Sequence, residues 1–370
     1  MQIQTDSQKF FFHTALIESG KSFESPKIAY ETYLNRNESV YELEPDIKRQ
    51  ILENVLSIQW KNYPPPYYPD IEKLISDYCN VKPEQVTADA GSASIIAALI
   101  NYFSINKRQI VIADPSFAFY SFHCNSYNAE FIPWPLNEFL EYDLKLLPEL
   151  EPQSLVIFAS PNNPVGNVIQ IDLLETLLSE NQNSLFLLDE VYNEFTDIQY
   201  TPLIEKYSNL ILLRSFSKVF SSAGIRAGFM LADKSITDQV RKLILPFSLN
   251  HLTAEFLRYI LSSPEIIKLQ EEKNKLIINE RQRVFTELNN ADKGNVFLKV
   301  FPSEGNFLTL SFKKPDYYNL FKKNVEAEKV ALLDVSTPPL LNLALRMTIG
   351  TPDENNKIIN AITKTISLLG

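Results

Sequence analysis

The chain has 370 residues, 45% of them hydrophobic and 22% charged, and 35 Lys and Arg against 45 Asp and Glu give a net charge of −10. That length and composition fit about two globular domains with a sizeable core, and the acidic balance argues against nucleic acid or an anionic membrane as the main partner. Two cysteines (Cys79, Cys124) make no disulfide framework and three scattered histidines (His13, His123, His251) no metal site, so no metal is expected and each histidine reads as structural.

The N-terminus lacks a basic start followed by a long apolar run, so no signal peptide is expected. Apolar stretches such as "ASIIAALI" at 93–100 are too short to span a bilayer, and the expectation is a cytoplasmic protein without membrane contact. "NYPPPYYPD" at 62–70 reads as a rigid connection before a helix. From about 85 to 232, short β-rich runs alternate with helical stretches. Strands are predicted at 109–115, 154–161, 184–190, 209–215 and 228–233, and helices at 93–104 and 171–180. Near-continuous apolar strands between helices imply a mostly parallel sheet covered on both faces. After about 245 a long helical stretch at 264–288 leads to strands at 295–301 and 306–312, which reads as a smaller α+β domain. The expected division is an N-terminal segment 1–40 joining the small domain, a large domain 41–245, and a small domain 246–370.

Open parallel sheets bind ligands beyond the carboxyl ends of their strands, and the polar clusters fall there: "DPSF", "SPNNP", "DEVY" and "SFSK". Lys218 ends one such run, and a partly desolvated lysine there has a lowered pKa and can form a Schiff base with a carbonyl. Alone it reads as a surface lysine; its company changes that. Asp189 follows four apolar residues and needs a cation, for which a protonated pyridine is one choice and a structural ion pair another. Asn163 and Tyr192 can donate to a phenolate oxygen. Glycine is scarce, at nine residues, so Gly91 before a helical stretch marks a constrained turn. The N–H groups of Ser92 and Ala93 behind it would face a phosphate. Ser215, Ser217 and Arg226 supply hydroxyls and charge for the same anion.

Together "SPNNPVG", "DEVY", "SFSKVFSSAGIRAGF" and "LRMTIG" resemble the fold-type I, pyridoxal-phosphate-dependent aminotransferases of class I/II, and most of all the histidinol-phosphate aminotransferase branch. The resemblance runs from "YLNRNES" at 33–39 to the C-terminus. It implies an aspartate aminotransferase-like α/β fold, pyridoxal 5′-phosphate as cofactor, and a homodimer. It also implies transfer of an amino group from an amino acid or similar amine to a 2-oxo acid, with histidinol phosphate and 2-oxoglutarate as one pairing. Carried over, it makes Lys218 the amine that joins the cofactor aldehyde and then moves a proton. Asp189 becomes the partner of the pyridine nitrogen, with Asn163 and Tyr192 at the ring oxygen and Phe117 stacked on the ring where the family has Tyr. Ser92, Ala93, Ser215, Ser217 and Arg226 fall to the phosphate, and Tyr68 reaches that phosphate across a dimer interface. Arg346 clamps the substrate anion, with Asn163, Asn35 and Asn37 near the substrate.

Three departures stand out. Ala93 and Ser94 replace an acidic pair, Ser221 and Ser222 precede Ala223 where the family has "GLAGLR", and Leu333 stands where the branch carries a second arginine. Two arginines suit a phosphate dianion and one suits a carboxylate, so an α-amino acid donor stays open beside histidinol phosphate. A pyridoxal-phosphate decarboxylase or lyase, similar to the threonine-phosphate decarboxylases, needs the same lysine and aspartate and is the alternative activity. A cofactor-sensing regulatory domain of this fold sits poorly with the acidic charge.

Overall fold

All five apolar runs between 109 and 233 become strands of one sheet. The computed structural model describes residues 29–337 and 339–369; residues 1–28, most of the expected N-terminal segment and with it His13, lie outside the described residues. The strands are β1 (Thr32–Tyr33), β2 (Val86–Asp89), β3 (Ile110–Asp114), β4 (Ile132–Pro135), β5 (Leu155–Ala159), β6 (Leu185–Asp189), β7 (Leu210–Ser215), β8 (Gly228–Ala232), β9 (Leu298–Phe301), β10 (Phe307–Phe312), β11 (Val330–Ala331), β12 (Leu333–Asp334) and β13 (Ala344–Thr348). The large sheet has the order β2-β8-β7-β6-β5-β3-β4. Neighbours are parallel except at β8, which runs antiparallel to β7 and β2. The cause is the connection: residues 216–227 contain only short 3₁₀ turns, with no crossover helix to carry the chain back for a parallel pairing.

Alternate residues of each central strand enter different cores. Val156 and Phe158 of β5 join one cluster, Leu155 and Ile157 the other. The helix Ile171–Glu180 supplies Leu174, Leu177 and Leu178 to the first, and the helix Ser92–Ile105 supplies Ile95, Ile96 and Leu99 to the second. Burial on both faces is why these strands read as unbroken apolar runs. Edge strand β4 carries Pro133 and Pro135, which an edge tolerates because a missing ladder N–H costs nothing on its open side.

The second sheet is antiparallel, β12-β13-β10-β9. It is covered by the helices Pro264–Ala291, Pro315–Ala327 and Pro352–Leu369, which pack on one another. Leu308, Leu310, Met347 and Ile358 from this part share the first core cluster with Val156 and Phe158. The chain before the large sheet returns to this part, since β1 pairs in parallel with β11, Thr32 opposite Val330. The helix His251–Leu261 instead packs against the helices Pro45–Ser57 and Pro69–Cys79.

Candidate active site

Because β2, β3, β5, β6 and β7 point the same way, their carboxyl ends share one edge of the sheet. Gly91 and Ser92 follow β2, Phe117 follows β3, Asn163 follows β5, Asp189 closes β6, and Lys218 follows β7. The reversed strand adds a further residue to that edge: Ser215 pairs with Gly228, so Arg226 sits just before β8 begins, beside the turn that carries Lys218. Ser222 braces this turn by donating its hydroxyl to the carbonyls of Phe216, at 2.6 Å, and Val219, at 3.1 Å. Ser221 instead donates its hydroxyl to the carbonyl of Tyr41.

Lys218 Nζ lies 5.9 Å from the centre of the Tyr192 ring and donates to the carbonyl of Arg36 at 3.1 Å. Burial lowers its pKa to about 8, helped by the neighbouring guanidinium of Arg346. Asp189 is buried, and desolvation pushes its carboxyl up to about 6, with a hydrogen bond from Tyr120, the Val191 N–H and Lys218 pulling the other way. One end of the site therefore holds an amine that deprotonates near physiological pH, and the other a carboxylate that lacks a full counter-charge.

The cradle for an anion is built from close backbone approach. Gly91, at φ +91°, caps the helix Ser92–Ile105 and leaves its first N–H groups free. A Cβ on Gly91 would stand 2.7 Å from Arg226 Nη2, and one on Gly228 would stand 2.2 Å from the Ser92 nitrogen. Arg226 Nη1 donates to Ser217 Oγ at 3.3 Å, and Ser215 Oγ lies 3.0 Å from Ser217 Oγ. Ser94, in place of an acidic residue, turns its hydroxyl onto the Gly91 carbonyl at 2.6 Å. Helix dipole, two hydroxyls and a guanidinium thus converge on one spot.

Beyond it, Arg346 on β13 donates to Asn163 Oδ1 and, at 2.8 Å, to the carbonyl of Asn35. With that acceptor committed, the Asn163 amide has its NH₂ left as donor. Arg346 Nε and Asn35 Oδ1 are buried and have no hydrogen-bond partner among the described residues. Such orphaned groups at a site await a ligand.

Two of the expected residues are placed otherwise. Asn37 is fully buried and its amide is engaged within the protein: its Nδ2 donates to the Tyr192 hydroxyl at 2.9 Å and its Oδ1 accepts from Thr348 Oγ1 at 3.2 Å. It stands behind Tyr192 and orients it. Tyr68 is 4% exposed and turned into its own protomer, its hydroxyl 3.5 Å from His251 Nδ1 and its ring 5.2 Å from the Arg258 guanidinium. Tyr63 of the same stretch is 84% exposed. The sequence reading also missed Tyr120, whose hydroxyl donates to Asp189 Oδ2 at 2.6 Å. Its signal was its place three residues after Phe117, one helical turn on.

A phosphorylated pyridine aldehyde fits this arrangement: an anion cradle, a carboxylate for a ring nitrogen, an amine for the aldehyde, and Phe117 left 39% exposed for a ring face. Fold and site together define a fold-type I pyridoxal-phosphate enzyme. The family model described as aminotransferase class I and II matches residues 31–362, and the chain belongs to that family. A curated histidinol-phosphate aminotransferase from Pyrococcus furiosus is 32% identical over 335 residues, covering 90% of this chain and 92% of the relative. The histidinol-phosphate aminotransferase from Sinorhizobium meliloti, solved in complex with pyridoxal-5′-phosphate, superposes with a TM-score of 0.83 at 20% identity over 100% of both chains. L-threonine-O-3-phosphate decarboxylase from Porphyromonas gingivalis shares the fold at a TM-score of 0.74 and 23% identity, over 91% of this chain and 99% of that one. The protein is thus a pyridoxal-phosphate-dependent aminotransferase of the histidinol-phosphate aminotransferase branch, acting on a small-molecule amino donor and acceptor.

Proposed function

We propose that this aminotransferase takes its amino group from an α-amino acid bearing a single carboxylate at the clamp and passes it to a 2-oxo acid. The observation that carries the reading is the cross-strand pair of Leu333 on β12 and Arg346 on β13. A phosphate monoester carries nearly two charges at neutral pH and is best held by more than one cation. Here an aliphatic side chain, 38% exposed, stands beside Arg346, the one buried guanidinium among the described residues at this end of the site. Arg36 and Glu38 are both exposed on the N-terminal loop, and the Glu38 charge bears on Lys218. A second reading, histidinol phosphate as donor and 2-oxoglutarate as acceptor, draws support from the names of the curated relatives.

Pyridoxal phosphate, when bound, supplies an aldehyde for the donor amine and a ring that accepts the electron pair released at the donor's α-carbon. In our reading Ser92, Ala93, Ser215, Ser217 and Arg226 grip its phosphate. Asn163 and Tyr192 donate to the ring oxygen, Asp189 holds the proton on the ring nitrogen, and Phe117 covers a ring face. Lys218 holds the aldehyde end and then acts as the base that takes the α-proton. Arg346 meets the donor carboxylate with its planar fork. Steady-state kinetics of the loaded enzyme with acidic, aromatic and aliphatic α-amino acids and with histidinol phosphate tests the donor class. The reading requires a higher kcat/KM for at least one α-amino acid than for histidinol phosphate; the reverse order gives the second reading its case.

We further propose a cytoplasmic homodimer. Trp60, Tyr63, Tyr67, Leu245 and Phe247 are exposed, and the two stretches meet, with the Tyr63 and Phe247 rings 5.4 Å apart. Such an apolar patch favours a protein partner. With Tyr68 turned inward, Tyr63 and Tyr67 are the rings available to a second subunit. The domains proposed are 41–245 and 246–370, with 1–40 joining the latter and the helix His251–Leu261 leaning back on the large one.

A further inference from the structure

Tyr120 touches two of the groups that would grip the cofactor ring, Asp189 and Phe117. Its side chain is wholly buried on the helix Phe119–Ser126. Its hydroxyl donates to Asp189 Oδ2 at 2.6 Å, and its ring meets Phe117 edge-on, with centroids 5.5 Å apart and planes at 88°. Asp189 Oδ1 accepts only a longer bond, from the Val191 N–H at 3.3 Å. One carboxylate oxygen is therefore held by a short, buried phenol bond while the other has lone pairs to spare.

We propose that Tyr120 is a positioning residue that keeps the Asp189 carboxylate ionised and oriented for the ring nitrogen of the cofactor. The proposal rests on the reading of Asp189 as the partner of that nitrogen. A protonated carboxyl could not hold the ring-nitrogen proton, and the ring would then be a weaker electron sink. Burial is the force that drives Asp189 toward its protonated form; the Tyr120 bond is the largest of the effects that oppose it. Of the other groups facing Asp189, Lys218 beyond β7 pulls toward the carboxylate and Glu190 at the end of β6 pushes against it. The phenols of Tyr142 and Tyr192 also face it and are kept neutral by burial. Tyr120 itself is pushed far above the usual phenol range, by burial first and then by the Asp189 charge, so it remains a donor at any working pH. In the edge-on contact its ring also fixes the plane in which Phe117 lies.

The test is Tyr120→Phe, first as cofactor-free protein. Asp189 titrates near 6 in the folded chain, above its unfolded value, so its contribution to stability is present at low pH and is lost as pH rises toward 6. Removing the phenol hydroxyl raises the folded value further, so in the variant that loss continues above pH 6. The melting-temperature gap between wild type and Tyr120→Phe should widen from pH 5 to pH 8, by about tenfold in the folding constant for each unit of added shift. In an Asp189→Asn background the widening should vanish. A gap that is constant with pH means Tyr120 only packs, and overturns the proposal. If Tyr120→Phe does not fold, recovery of folding in the Tyr120→Phe/Asp189→Asn double variant supports the proposal, and continued failure overturns it. Cofactor affinity, followed by absorbance, should weaken about tenfold in Tyr120→Phe and more in Asp189→Asn. A pH-dependent gap with unchanged cofactor affinity in Asp189→Asn would show that the tyrosine and aspartate are coupled but that Asp189 is not the ring-nitrogen partner.

Discussion

Lys218 is useful because β7 stops where it does: three residues past Ser215 its amine is partly desolvated and faces Arg346, and both effects favour the neutral form. Capture of pyridoxal phosphate by the cofactor-free protein should therefore speed up about tenfold per pH unit up to about pH 8 and level off above it, as the fraction of neutral amine does. A rate independent of pH between 6 and 8 would contradict the lowered pKa. Lys218→Ala should lose about 10²–10⁴-fold in turnover and keep its fold. At the other end of the site, Leu333→Arg places a second guanidinium opposite Arg346 and should lower KM for phosphorylated donors about tenfold or more, the value of a charged hydrogen bond. An unchanged KM would mean that the donor's anion lies elsewhere. Lys218, Asp189 and Asn163 stood out in the sequence as polar groups at or just beyond the ends of apolar runs, and Arg226 by its place between Gly224 and Gly228, and the fold brings these four to one edge of the sheet. The burial of Asn37 and Tyr68 could not be read from the sequence because it is decided by contacts with Thr348 and Arg258, far along the chain. Tyr120 was hidden among aromatic neighbours that look like core.

Among the elements, the strand β8 and the helix Ser92–Ile105 make the anion cradle by touching. Gly228 permits it, since any side chain there would meet the Ser92 nitrogen. Gly228→Ala should separate strand from helix, costing about 1–3 kcal/mol of stability as an overpacked site, and should weaken cofactor binding. A thermal melt beside a cofactor titration measures both, and wild-type values in each would show that the contact is dispensable. Hydropathy revealed β3, β5, β6, β7 and β8 because burial on both sides leaves unbroken apolar runs. It passed over β2, which has only four residues ending in Asp89, and β4, where two prolines suit an edge but not a central strand. The reversal of β8 is written in the short connection that carries Lys218 and Arg226, not in the apolar pattern of the strand.

At the scale of the whole molecule, the site needs both sheets: β13 brings Arg346 to Asn163, and Arg281 in the helix Pro264–Ala291 ties the parts by donating to the carbonyls of Phe195 at 3.1 Å and Gly305 at 2.8 Å. A change of pattern near 245 suggested a second, smaller part joined by the N-terminal segment, but the partner of that segment, β11 beside β1, is a long-range pairing that no local pattern announces. If Tyr63 and Phe247 sit in a dimer interface, sedimentation should give twice the 42.4 kDa chain mass for the wild type and a smaller species for Tyr63→Asp/Phe247→Asp. A wild-type monomer would refute the homodimer. The central claim is that one lysine, at the strand ends of this sheet, carries the cofactor. Borohydride reduction of the loaded protein, followed by peptide mass mapping, tests it most directly. The expected result is a single pyridoxyl-phosphate label on Lys218; a label on another lysine, or none with excess cofactor, would contradict the site as built here.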